Sequence, residues 1–88
     1  MEGVNPSFDL AKLRSIVDEA RAYLGERDRA REQAIRLARD VIRYSGWTVT
    51  AVHKGSLDEA LEHLGKAEEA ASLLRETLAP YPELASSG

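Results

Sequence analysis

"YSGWTVTAVHKGSLDEA", residues 44–60, carries two conflicting periods. Trp47, Val49 and Ala51 alternate with polar residues as a half-buried strand would, while the sequence on either side is patterned for helix. Extending the register resolves the conflict. Ile35, Ala38, Ile42, Ser45, Val49 and Val52 follow at spacings of 3, 4, 3, 4 and 3, so one helical stripe runs straight through the apparent strand. A strand would put Val49 and Val52 on opposite faces and separate both from Ile42. Thr48, Thr50 and Gly46 each lower helix propensity by a few tenths to about 1 kcal/mol, a cost that packing routinely overrides. Gly46 is also a place where another helix could approach closely.

Lys54-Gly55 is a stop, with a cation at the negative end of the helix dipole and a glycine suited to the left-handed C-cap. Ser56-Leu57-Asp58-Glu59 fits a capping box, in which serine and glutamate each satisfy a backbone donor. A second helix is predicted over about 57–79, with an apolar stripe of Leu57, Ala60, Leu61, Leu64, Ala67, Ala71, Leu74 and Leu78. It ends at Ala79-Pro80, because proline restricts the residue before it. Residues 80–88 read as a short tail in which Tyr81-Pro82-Glu83-Leu84 is extended or turn-like.

Upstream, Ser7 or Asp9 is a candidate N-cap, and Leu10, Leu13, Val17, Ala20 and Leu24 repeat at 3, 4, 3 and 4. Gly25 and the polar run after it allow a turn, but Asp28 with Arg31 and Glu32 with Arg36 support a continuing helix. The first helix is thus expected over about 7–54, with a bend or break open at Gly25. A connection of about two residues makes the helices antiparallel neighbours. The expected fold is all-α, a long antiparallel helical hairpin in one domain. Two helices cannot cover their own stripes, so the hairpin is expected to complete a helical bundle by self-association.

Composition agrees. Eighty-eight residues without cysteine give a small domain that no disulfide or thiolate metal site can brace. The start MEGVNPSFDL lacks a basic and then apolar leader, and no apolar run approaches the roughly 20 residues of a membrane span, so the chain reads as soluble and cytoplasmic. The net charge of −3 hides a basic middle: residues 26–43 carry 6 basic and 4 acidic groups, whereas residues 54–88 carry 3 and 7.

Few residues point to chemistry. His53 and His63 stand in no metal-binding spacing; His53 reads as a last-turn residue, and His63 as a solvent-facing one that can pair with Glu59. Asp58, Glu59, Glu62, Glu68 and Glu69 read as a solvated acidic face, and Ser45 as a helix-contact residue without a nucleophile motif around it. No cofactor or catalytic residue is expected. Arg36, Arg39 and Arg43 lie at i, i+3 and i+7, one heptad after Arg29, and can neutralise successive phosphates of a nucleic acid, or pair with Asp40 and Glu32 among them. Trp47 and Tyr44 can stack on bases or fill a core.

The segment "ARDVIRYSGWTVTAVHKGSLDEALEHLGKAEEAASLL" (38–74) with the later "YPEL" (81–84) resembles the amino-terminal part of the translin family. The resemblance rests on "RDVIR" at Arg39–Arg43, the His53-Lys54-Gly55 helix end, the alanine- and leucine-patterned second helix and the Pro82-Glu83-Leu84 exit. It implies an all-α protein that binds single-stranded RNA or DNA as an oligomer. Some members pair with the related subunit Trax, whose acidic residues cut RNA with metal. In the family those carboxylates lie beyond the Pro-Glu-Leu exit, so a short form or fragment without ribonuclease residues is expected here. The alternative is a non-catalytic helical module for oligomerisation or protein interaction.

Overall fold

The structure, a computed structural model, describes residues 10–86. Helix α1 runs Leu10–His53, α2 Leu57–Leu78, and a short α3 Pro82–Ser86. The candidate caps Ser7 and Asp9 lie outside the described residues. The strand-like stretch is helix throughout, and α1 passes Gly25 without a break. Thr48 and Thr50 are accommodated because each hydroxyl donates back to a carbonyl four residues earlier, Tyr44 at 2.8 Å and Gly46 at 3.1 Å.

A three-residue turn, Lys54 to Ser56, reverses the chain. Gly55 has φ +77°. Its amide donates to the Val52 carbonyl at 3.0 Å, and the Ser56 amide donates to Ala51 at 2.9 Å, the paired bonds of a Schellman stop. This corrects the capping-box expectation. The Ser56 amide is already taken by Ala51, so Glu59 has no donor to satisfy, and the Ser56 side chain makes no cap bond. In the tail, Pro82 opens a helical turn, as proline does at a first helical position. That turn folds back on α1, where Tyr23 and Tyr81 lie 5.8 Å apart and the Tyr23 hydroxyl donates to Glu83 at 3.2 Å. Crowding by these neighbours, then the Glu83 carboxylate, hold the Tyr23 phenol above its ordinary pKa.

The seam between α1 and α2 follows a heptad. On α1 the least exposed row is Ala30, Ala34, Leu37, Val41, Tyr44, Thr48 and Ala51; on α2 it is Ala60, His63, Ala67, Ala70, Leu74 and Thr77. The buried members are Ala34, Leu37, Ala51, Ala60, Ala67 and Ala70, so methyl groups fill most of the core. The α1 stripe read from the sequence is real but is the neighbouring row. Ile42 is 72% exposed, and Ile35, Ser45, Val49 and Val52 also face outward. Gly46 makes no close approach: a methyl added there meets nothing within 4 Å.

Geometry sorts the two flanks of the seam. Each residue turns a helix by about 100°, and reversing the helix direction reverses the sense of that turn. Positions one residue after the seam on α1 and on α2 therefore fall on the same side of an antiparallel pair. That side holds Ile35, Ile42, Val49 and Val52 from α1 with Leu57, Leu61 and Leu64 from α2. One groove lined by Ile35, Ala38, Leu74, Leu78 and Leu84 joins the two rows. Positions one residue before the seam form the opposite side: Arg36, Asp40, Arg43 and Trp47 with Glu59, Glu62, Lys66 and Glu69. The hairpin is mainly apolar on one broad face, where Arg31, Glu68 and Arg75 are the charged members, and mainly charged on the other, where Leu73 is exposed.

Beyond the hairpin, α1 continues alone. Its 44 residues span about 66 Å against about 33 Å for the 22 of α2. Leu10, Ile16, Val17 and Leu24 are exposed on this overhang.

Candidate nucleic-acid interface

The three arginines singled out by spacing are all exposed within an arc of about 60° on α1, but each has different surroundings. Arg36 lies on the charged face and donates to the Gln33 side chain at 3.1 Å. Arg39 is exposed and turned about 60° further round the helix, away from α2. Arg43 pairs with Asp40 at 3.0 Å, with its side chain half exposed. An exposed pair of this kind contributes roughly 0–1 kcal/mol, so an incoming phosphate can take Arg43 from Asp40 at little cost.

Arg43 also belongs to a second cluster. Its guanidinium carbon lies 5.0 Å from the Tyr44 ring centroid and 5.4 Å from that of Trp47. Tyr44 and Trp47 meet edge to face at 5.5 Å. From α2, His63 lies 5.5 Å from Trp47 and is nearly parallel to Tyr44 at 6.5 Å, while the Lys66 ammonium lies 5.8 Å from the Tyr44 ring. Each cation over a ring face contributes about 0.5–1 kcal/mol at such exposed sites. The cluster holds itself together without a ligand.

Two of its members were missed or misread in the sequence. His63 is not solvent-facing beside Glu59; it is half-buried in the seam, with Nδ1 enclosed and without a hydrogen-bond partner. Lys66 stands at i+4 from Glu62, an ordinary surface spacing that does not single it out. The signal was the heptad of α2, which puts residue 63 in the buried row and residue 66 beside it. Trp47 is 47% exposed and so belongs to the surface rather than to the core. His53 stands exposed in the last turn of α1, as its position predicts.

A shallow groove lies against this cluster, lined by Trp47, Thr50, Ala51, Lys54, Glu59 and His63. A second, on the same side nearer the middle of the hairpin, is lined by Asp40, Tyr44, Lys66 and Glu69 among others. Neither holds a group of three converging metal-ligating side chains, and none occurs elsewhere among the described residues. No described helix is long and apolar enough to cross a membrane. No protein-family model, no curated protein and no solved structure matches the chain.

Proposed function

We propose that the chain is a non-catalytic helical module that assembles with copies of itself through its apolar face and binds single-stranded RNA or DNA across its charged face. The two-sidedness of the hairpin carries this reading. Large side chains at Ile35, Ile42, Leu57 and Leu61 stay in solvent on one side, while Arg36, Arg43 and Lys66 with two exposed or half-exposed rings occupy the other. Apolar patches of this kind mark interaction surfaces, and cations interleaved with aromatics suit a phosphate backbone with unstacked bases. The translin resemblance, carried by the residues quoted above, points the same way. A plain assembly module without a nucleic-acid ligand is the second reading, and the outer apolar face alone favours it.

Salt separates the two. Three phosphate contacts on a single strand weaken binding about twentyfold between about 50 and about 200 mM salt. Fluorescence anisotropy of a labelled single-stranded RNA, titrated at both salt concentrations, is expected to show that slope. A variant with alanine at Arg36, Arg39 and Arg43 is expected to bind weakly with a flatter slope. RNA that fails to bind even at low salt would leave the assembly module alone.

A further inference from the structure

We propose that the groove beside Trp47 is a nucleobase-stacking subsite that prefers bases bearing an exocyclic amino group, with the adjoining phosphate held by Arg43 and Lys66. The inference deepens the nucleic-acid reading and rests on it. Three observations meet here. Trp47 offers a ring that is 47% exposed. Arg43 leans on that ring from one turn before it, whereas Thr50, Ala51 and Lys54 line the groove from the turns after it, so guanidinium and groove meet the indole from opposite directions along α1. Across it, α2 supplies Glu59 and His63.

The charges select the ligand. Arg43, Lys54 and Lys66 surround the rings, and two of them already face ring π-systems, which disfavours another organic cation. A bare phosphate would meet Glu59. A neutral base attached to a phosphate fits both requirements: its ring lies on Trp47, its amino edge donates to the Glu59 carboxylate, and its phosphate reaches the cations on the far side. A carboxylate accepts from the amino group of cytosine and has nothing to accept from the corresponding carbonyl of thymine. Asp40 and Glu69, which line the neighbouring groove with Lys66, disfavour a further base and its phosphate in that groove, while Arg36 and Arg39 stay exposed to flanking phosphates. One or two bases are held here, not a long tract.

Trp47 is the chain's one tryptophan, so its emission reports on this groove alone. The test titrates the full chain with end-labelled single strands of equal length: oligo-dC, oligo-dT and an abasic backbone of the same charge. Indole emission and label anisotropy are read in the same cuvette. Both base-bearing strands are expected to quench Trp47 while the abasic strand binds without quenching, and oligo-dC is expected to bind about three- to tenfold more tightly than oligo-dT. Glu59→Ala should remove that ratio while leaving the quenching. Trp47→Ala should weaken oligo-dC by about tenfold or more, with circular dichroism confirming that the helices remain. An anisotropy rise without any change in Trp47 emission overturns the stacking subsite and leaves the nucleic-acid reading intact. Quenching with equal affinity for the two bases overturns the recognition by Glu59. No anisotropy rise with any strand overturns the reading and the subsite together.

Discussion

Gly55 and Gly46 make opposite demands on the same helix. Gly55 stands at φ +77°, where a side chain costs about 1–2 kcal/mol, and its amide closes the turn onto Val52. Gly46 lies inside α1 with open space where a Cβ would go, so it costs its helix about 1 kcal/mol and gains no contact in return. Gly55→Ala is therefore expected to destabilise the chain by about 1–2 kcal/mol, and Gly46→Ala to stabilise it by about 0.5–1 kcal/mol. Urea unfolding followed by circular dichroism, at one protein concentration, measures both. A loss of stability in Gly46→Ala would mean that a neighbouring copy packs its backbone against that glycine.

At the scale of the elements, the narrow alanine row is what lets α2 lie along α1. Ala67 is 6% exposed and sits between His63 and Ala70 in a row whose buried members are alanines. Ala67→Leu inserts three heavy atoms into that row and is expected to destabilise the hairpin by about 1–3 kcal/mol in the same unfolding assay. A stabilised Ala67→Leu would show the seam to be loosely filled and the register wrong. The hairpin itself was legible in the sequence because helical period and stop signals are local: the 3–4 spacing through Val49 and the glycine at 55 need no knowledge of a partner. Which row becomes the seam was not legible. Each helix carries two adjacent apolar rows, and the larger side chains of Ile35, Ile42 and Val49 drew the reading to the row that stays in solvent. The site was read from α1 alone for the same reason. Spacing finds Arg36, Arg39 and Arg43, which share a helix, but only the pairing of helices brings His63 and Lys66 to Tyr44 and Trp47.

For the molecule as a whole, the distribution of large apolar groups argues that a single copy is incomplete. Among the described residues, one large hydrophobic residue, Leu37, is buried, and fifteen from Leu10 to Leu73 are exposed. Buried methyl groups contribute little apolar area, so a hairpin of this size is marginal by itself. Turning the Ile42 and Leu61 face of one copy onto that of another would bury both rows and leave the charged faces pointing outward in opposite directions. Ile42→Glu combined with Leu61→Glu tests this without touching the seam, since Ile42 is 72% and Leu61 66% exposed. Light scattering on the eluting peak is expected to give a multiple of 9.7 kDa for the natural sequence and 9.7 kDa for the double variant. A natural chain that elutes at 9.7 kDa in the micromolar range sinks the assembly reading. The same variant also reports on ligand binding. A strand that engages two outward faces of one assembly gains affinity through effective concentration, and that gain disappears in the single chain. RNA affinity should then fall by about a hundredfold in Ile42→Glu/Leu61→Glu although every cation and ring of the charged face is intact. Unchanged affinity would mean that each hairpin binds its own stretch of nucleic acid, independent of the assembly.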